Sequence, residues 1–583
     1  MIRLWRKEHP CHPHHDAAQN GGPVRLEGAN KEILEAGRSR LVLCAGLFTI
    51  AFAALSVRLV DVTVFNQPRE PQLDRADRAI NLPLERADIV DRNGVLLATS
   101  LATASLYADP KEIRDAASAA RQLVGVLPDL KQSEVLDKLR SGRRFVWIQR
   151  NLTPRQEYEV NRLGIPGLYF QREDRRVYPH GVLTAHVVGF TNVDNHGMAG
   201  IERHFDATLS KGGAPLVLSL DLRVQHVVRE ELLAGMQEFR AIGAGAAVLD
   251  ARTGEVLSLV SLPDFDANKA GEASDDARFN RMTLGVYEMG SIFKVFTAAM
   301  ALETGASKLT SSYDATHPIH VARFTISDYH AKRRVLTVPE IFMYSSNIGA
   351  AKMALDVGGA MQHQFLARFG LLSPSKLEIN ELGIPEFPAQ WRPINTMTIA
   401  FGHGVSVEPI QVAAATTAIV DGGILHDPTL LKRRAGEDAA GVRILSERTS
   451  DEMRRLMRLV VTGGTAKEGI TPGYLVGGKT GTAEKASKRG YLHHELLSSF
   501  VGAFPITAPK YVVLAFYDEP HGNAKTHGYA TAGWTAVPVV NRIVHRIAPL
   551  LGVTPVDEKD PEIERALMID GAPTPQDRKI ASN

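Results

Sequence analysis

Three short strings, far apart in the chain but fixed in order, constrain the fold more than any other feature. They are Ser291-Ile292-Phe293-Lys294, Ser345-Ser346-Asn347 and Lys479-Thr480-Gly481-Thr482. Together they supply what acyl transfer through a serine ester requires: a nucleophile, a nearby base, a second proton-relay group and an oxyanion site. A fold that uses them must bring a helix start, a loop and a strand into one cleft. A lone S-x-x-K carries little information, since average composition gives about two by chance in a chain this long. A second one is present, Ser373-Pro374-Ser375-Lys376, where Pro374 disfavours the helical turn that would bring Ser373 and Lys376 together. A chance K-T-G is expected about once in ten such chains, and all three strings in order are far rarer.

The surroundings of each string agree with that chemistry. Tyr287-Glu288-Met289-Gly290 reads as a turn, after which Ser291 opens an apolar helix through Phe293, Phe296 and Met300 to Leu302. Lys294 lies one turn later on the same face, and a helix N-terminus favours developing negative charge. A lysine of ordinary pKa cannot take a proton at neutral pH, so Lys294 must be buried and near another cation such as Lys479. Ser345 and Asn347 precede the helix-like run Ala350 to Leu355 and are expected to point into the cleft, Ser345 as proton relay and Asn347 on the substrate amide; the plainer role for such residues is an N-cap. Val476 to Ala483 reads as an edge strand whose glycines admit another backbone, so that a peptide can add alongside it. Lys479, Thr480 and Thr482 would hold a carboxylate. The backbone N–H groups of Ser291 and Thr482 would form the oxyanion hole. Lys525-Thr526-His527-Gly528 is a near miss without a role.

The ordered strings are the signature of penicillin-binding proteins and class A β-lactamases, and the resemblance extends along residues 40 to 550. Arg86 to Gly94 with Leu97-Ala98, Arg175 to Pro179, Ala185 to Gly189 and Gly200-Ile201-Glu202 resemble the membrane-proximal boxes of class B penicillin-binding proteins. Leu249-Asp250, Thr253-Gly254-Glu255 and Ser261-Leu262-Pro263 resemble the entry to their transpeptidase domain. Tyr107 to Glu112 and Gly189 to Asp194 are most similar to the septal, FtsI-type class. Met289 stands where the family often has proline, and Ala400, before Phe401-Gly402-His403-Gly404, where a serine is common.

The resemblance implies a D,D-transpeptidase that cross-links peptidoglycan during cell division and is a target of β-lactams. Ser291 would attack the D-Ala-D-Ala carbonyl of a donor stem peptide, and an amine of a neighbouring stem would resolve the acyl-enzyme. The implied partners are a membrane glycan polymerase of the shape, elongation, division and sporulation family and other division proteins. Same-class alternatives are an elongation-type transpeptidase and a D,D-carboxypeptidase; the different-class alternative is a penicillin-sensing receptor or scaffold. A β-lactamase is disfavoured because no E-x-x-L-N string lies between Asn347 and Lys479.

Leu41 to Val57 is a run of low polarity at the short end of a membrane span, extended by snorkelling of Arg40 and Arg58. The polar stretch before it is too long for the n-region of a cleaved signal peptide, and Leu43 before Cys44 lacks the small residue of a lipoprotein cleavage site. Arg25, Lys31, Arg38 and Arg40 are matched by Arg58, Arg69, Arg75 and Arg78, so charge does not orient the span. The implied substrate does, placing the catalytic part in the periplasm, the N-terminus in the cytoplasm and the chain in the inner membrane at the division septum.

At 583 residues the chain carries more than one domain. Its two cysteines, Cys11 and Cys44, leave the exported part without a disulfide, so its core alone must hold it. A net charge of +2 gives no reason to invoke nucleic acid. His12, His14 and His15 lack zinc spacing, and no metal or cofactor is suggested. The expected fold is α+β: a cytoplasmic tail at 1–38, a single transmembrane helix at 39–60, and a mixed α/β pedestal (dimerisation-type) domain at 61–215. A transpeptidase domain of antiparallel sheet covered by helices follows at 216–552, then a disordered tail at 553–583. The Arg-rich string Arg172 to Arg176 reads as a solvated face or a partner contact, the solvated face being the plainer.

Overall fold

The computed structural model describes residues 30–60 and 86–569, apart from 322–323, 435, 437–438 and 488–489. It divides into two units, Met1–Pro83 and Leu84–Asn583.

In the first unit the described residues form one helix, α1 (Asn30–Val60). It begins inside the stretch expected to be the cytoplasmic tail; the rest of that tail, 1–29, and the first part of the expected pedestal, 61–85, lie outside the described residues. Its apolar side chains from Val42 to Val57 are exposed, Ile50 by 70%. Among the described residues, no helix is long and apolar enough to cross a membrane.

The second unit holds two five-stranded sheets. In the first, β1 (Ile89–Val90) pairs with β2 (Leu96–Ala108), which also pairs with β3 (Val146–Leu152) and β4 (Leu168–Val177); β5 (Leu216–Val217) adds to β1 in parallel. Three helices cover one face: α2 (Ala116–Val126), α3 (Gln132–Leu139) and α4 (Pro154–Arg162). Leu123, Val135, Leu139 and Val160 pack there on Leu106, Val146, Ile148 and Leu152. Local signals set the helix starts: Asp115 caps α2, and Thr153 with Gln156 forms a capping box before Pro154.

Beneath this sheet three of the family-like strings meet. Arg86 Nε donates to Glu202 Oε2 at 2.6 Å and Arg176 Nε to Glu202 Oε1 at 2.7 Å, with all three side chains buried. Arg176 also donates to the carbonyls of Arg86 and Ala87. The expectation of a solvated face is therefore corrected at Arg176, while Arg172 and Arg175 are exposed. Strand alternation sends Arg175 and Arg176 to opposite sides of β4, and on its side Arg176 is buried against Glu202 and the carbonyls of Arg86 and Ala87.

The second sheet is antiparallel throughout, in the order β8 (Gly477–Ser487), β9 (Gly490–Phe504), β10 (Tyr511–Asp518), β6 (Gly243–Asp250) and β7 (Val256–Leu262). Strand β6 is small and apolar along its length, GAGAAVLD, because both of its faces are buried. Helices α5 (Leu222–Glu238) and α10 (Ala536–Leu550) pack on the sheet, as do α8 (Pro409–Val420) and α9 (Glu447–Gly463). Pro538 lies in the first turn of α10, where an amide has no intrahelical acceptor to lose. Between β7 and β8 runs the helical insert, with α6 (Lys294–Glu303), buried along nearly its whole length, and α7 (Asn347–Val357).

One boundary differs from expectation. The charged segment after 553 forms a helix, α11 (Pro561–Leu567), with Asp560 as cap, and Glu558 pairs with Arg458 at 2.6 Å. Proline at the first helical position and an aspartate before it suffice to start a short helix that composition alone does not predict. Residues 570–583 lie outside the described residues.

Candidate active site

Ser291 does not stand in an α-helix. Gly290–Phe293 is a 3-10 turn that runs into α6 at Lys294. In a 3-10 turn side chains at i and i+3 eclipse, and Lys294 Nζ lies 2.8 Å from Ser291 Oγ. Two close approaches bind this turn to the edge strand β8. A Cβ on Gly290, whose φ is +55°, would lie 2.9 Å from the carbonyl oxygen of Thr482, and one on Gly481 would lie 2.5 Å from that of Met289. Side chains at either position would push the serine away from the strand.

The second string turns sharply at its first residue. Ser345 is left-handed, φ 61°, and closes the helix Val338–Tyr344, whereas the N-cap of α7 is Ser346, which accepts from Gly349 N. Capping and cleft roles are thus divided between adjacent serines. Asp328 fixes the turn, accepting from Ser346 Oγ at 2.7 Å and from Ile348 N at 3.0 Å. Asn347 is the first residue of α7; its Nδ2 donates to Ser327 O and its Oδ1 accepts from Lys294 at 2.7 Å.

Two lysines converge on Ser345 Oγ, Lys294 Nζ at 3.1 Å and Lys479 Nζ at 3.0 Å. Lys294 is 2% exposed and Lys479 0%. Burial, reinforced by the charge of Lys479, holds Lys294 well below the ordinary lysine range, with Asp328 opposing. Burial alone lowers Lys479 to about 7. Of the four oxygens that Lys294 faces, Ser345 O and Asn347 Oδ1 only accept, while the hydroxyls Ser291 Oγ and Ser345 Oγ can also donate. The neutral amine, with two protons and one lone pair, can accept the proton of Ser291. The arrangement can therefore remove a proton from one hydroxyl and pass it to another.

A family model described as the penicillin binding protein transpeptidase domain matches residues 244–545, and one described as the penicillin-binding protein dimerisation domain matches residues 81–212. The chain belongs to the penicillin-binding protein family. It is 39% identical over 564 residues to the "Probable peptidoglycan D,D-transpeptidase FtsI" of Caulobacter vibrioides, covering 94% of this chain and 93% of the relative. It is 32% identical to the "Probable peptidoglycan D,D-transpeptidase PenA" of Neisseria meningitidis serogroup A, covering 91% and 95%. Among solved structures, the transpeptidase domain of penicillin-binding protein 3 from Burkholderia pseudomallei is similar at 33% identity and a TM-score of 0.53, covering 58% of this chain and 97% of that one.

Within this penicillin-binding fold, Ser291, Lys294, Ser345, Asn347 and Lys479 share one hydrogen-bonded cluster. Thr482 Oγ1 accepts from Ala532 N at 3.2 Å, which leaves its own proton to donate. Thr480 is 7% exposed and its hydroxyl faces that of Thr465 at 2.6 Å. The second S-x-x-K is elsewhere: Lys376 pairs with Asp427 at 2.9 Å in a non-helical segment. In the near-miss string, Lys525 pairs with Glu238.

Sequence reasoning missed Asp328, Thr465 and the pair formed by Glu288 and His403. Glu288 Oε1 accepts from Gly404 N at 2.7 Å, and His403 lies 3.7 Å from the same carboxylate. Burial, then the charge of Lys294, lowers His403 to about 4, against the opposing pull of Glu484. Phe401 to Gly404 carried a signal as a family-like string, since a Cβ on Gly402 would lie 2.1 Å from Gly290 O. Asp328 and Thr465 belong to no string, and no spacing announces them.

Proposed function

We propose that this chain is a septal, FtsI-type peptidoglycan D,D-transpeptidase and a penicillin target, acting through an acyl-serine intermediate. The observation that carries the reading is a buried lysine amine, lowered well below its usual range, 2.8 Å from the hydroxyl of Ser291. Neutral Lys294 takes the Ser291 proton as Oγ bonds to the carbonyl carbon of the penultimate D-Ala. The backbone N–H groups of Ser291 and Thr482 hold the oxyanion. As the C–N bond breaks, the proton passes from Lys294 through Ser345 Oγ to the departing D-Ala amine, with Lys479 keeping Ser345 polarised. An acceptor amine then attacks the acyl carbon and gives up a proton along the same path, and Ser291 Oγ leaves with a proton restored. Asn347 binds the donor amide. Lys479 and Thr482 hold the terminal carboxylate, with Thr480 orienting Lys479, and Gly481 leaves room for the peptide beside β8.

The same reading assigns 61–215 to a pedestal and 216–552 to the catalytic domain. Residues 39–60 act as a single membrane anchor with the N-terminus cytoplasmic and the catalytic domain periplasmic. The exposed apolar run on α1 supports the anchor. The partners are a membrane glycan polymerase and other division proteins, and a fluorescent fusion at midcell rather than along the side wall checks the septal role.

Fluorescent penicillin tests the chemistry. It should label the wild-type chain at one site and leave Ser291→Ala unlabelled with an unchanged melting temperature. Labelling that survives in Ser291→Ala but disappears on changing Ser373 overturns the assignment.

A further inference from the structure

Thr465 follows the last turn of α9, just after Gly463 and Gly464. Its backbone is held tightly there. Gly464 N and Ala466 N both donate to Val460 O, at 3.0 and 3.2 Å. A Cβ on Gly464 would lie 2.6 Å from the carbonyl oxygen of Met343, in the helix that Ser345 closes. A Cβ on Gly533 would lie 2.7 Å from the carbonyl oxygen of Thr465 itself. Thr465 is therefore wedged between the helix leading into the second string and the loop at Ala532-Gly533. The same loop holds Thr482, whose Oγ1 accepts from Ala532 N at 3.2 Å. Thr465 and Thr482 thus share one anchor, and Thr480 lies beside them, its hydroxyl 2.6 Å from that of Thr465.

Counting protons decides which way these hydroxyls point. Lys479 Nζ has three partners, Ser345 Oγ at 3.0 Å, Thr480 O at 3.0 Å and Thr480 Oγ1 at 3.4 Å. They match the three protons of the ammonium form, which an anion bound nearby favours. At 0% exposure, that ammonium acts on a ligand through its charge and through these partners. Thr480 Oγ1, accepting from Lys479, gives its own proton to Thr465 Oγ1. The proton of Thr465 is then directed away from Thr480. Thr480 is 7% exposed, whereas Thr465 is exposed. A chain of polarised hydrogen bonds thus runs from a buried cation to a donor that a ligand can reach.

We propose that Thr465 is a specificity-determining residue of the transpeptidase site, donating a hydrogen bond to the C-terminal carboxylate of the donor peptide. The inference rests on the reading of the chain as a D,D-transpeptidase whose donor ends in a free carboxylate. A carboxylate only accepts, and each of its oxygens takes a donor. Thr482 supplies one, Thr465 supplies the other, and the charge of Lys479 stands behind both. A terminal carboxamide has one acceptor oxygen and turns an NH2 group toward the second donor, so it is held less well.

The test uses the detergent-solubilised full chain with benzylpenicillin, whose carboxylate stands for that of the terminal D-Ala, and with benzylpenicillin carboxamide. Thr465→Val removes the hydroxyl at nearly constant volume, and Thr465→Ser keeps it. Stopped-flow acylation over a range of concentrations gives the reversible step and the limiting rate for each compound. The preference for the carboxylate over the carboxamide should fall about tenfold in Thr465→Val, as expected for one lost hydrogen bond to a charged group. That loss should lie in the reversible step and not in the limiting rate. Thr465→Ser should keep the preference to within about threefold of wild type. Calorimetry with both compounds on Ser291→Ala and on Ser291→Ala combined with Thr465→Val reads the reversible step alone, so the proposal is decided even where acylation fails. Equal losses for the two compounds in Thr465→Val would show a residue that only supports Thr480, and would overturn the proposal. So would an unchanged preference, a loss in Thr465→Ser as large as in Thr465→Val, or a Ser291→Ala chain with no preference for the carboxylate. A wild-type chain that prefers the carboxylate in binding but is not acylated counts against the proposed function and not against the role of Thr465.

Discussion

Lys294 and Lys479 are 2% and 0% exposed in the cleft, while Arg86 and Arg176, each 5% exposed, lie beneath the first sheet. The two arginines share a carboxylate, Glu202, at 2.6 and 2.7 Å; Arg86 also pairs with Asp206 at 2.7 Å, and both arginines reach backbone carbonyls. The two lysines share a hydroxyl, Ser345 Oγ, and no carboxylate forms an ion pair with either among the described residues. Burial with a counter-ion gives a clamp between chain segments more than a hundred residues apart. Burial without one gives amines that shed their protons, Lys479 near 7 and Lys294 well below its usual range. The residue types fit these roles, since guanidinium cannot be deprotonated in a protein and an ammonium can.

The most direct way to break this contrast is to place the wrong cation in the cleft. Lys294→Arg should keep the fold and lower penicillin acylation by about two to four orders of magnitude, measured by stopped-flow labelling. Near wild-type acylation would mean that Lys294 serves only as a positive charge. The reciprocal change, Arg176→Met, leaves Glu202 with half of its partners and should cost about 3 kcal/mol of stability in a denaturant titration. Its folded fraction should acylate normally.

pH sharpens the difference further. Lys479 titrates near 7 in the fold and near 10.5 when unfolded, so between these values the unfolded chain binds more protons. Stability therefore rises with pH through this window, and below about 7 the lysine is charged in both states and its burial cost is fully felt. Lys479→Met should flatten the rise between pH 7 and 9, whereas Arg176→Met should leave it in place. The smallest effect is expected from removing residues 1–60: acylation should change by less than about twofold, because every group in the cleft lies between Ser291 and Thr482. A larger loss would show that the N-terminal segment helps to form the site.

The local grammar of the chain determined a great deal. A serine and a lysine three residues apart in an apolar helical run, a glycine-rich strand ending in Lys-Thr-Gly-Thr, and the hairpin around Thr253-Gly254 each specify their own conformation through side-chain periodicity and backbone freedom. That is why the strand expected at Val476 to Ala483 lies largely in β8, and the helical runs after Ser291 and Asn347 lie in α6 and α7. What required the tertiary structure is everything that depends on who sits opposite whom. Ser345 points at both lysines only because the turn at φ 61° is pinned by Asp328 from a separate loop. Thr480 faces Thr465 from the end of α9 rather than solvent. Arg176 is clamped while Arg175, its neighbour, is exposed. The lowered lysines follow the same rule, for a pKa reports desolvation and neighbouring charge, and neither exists until segments distant in sequence are packed together.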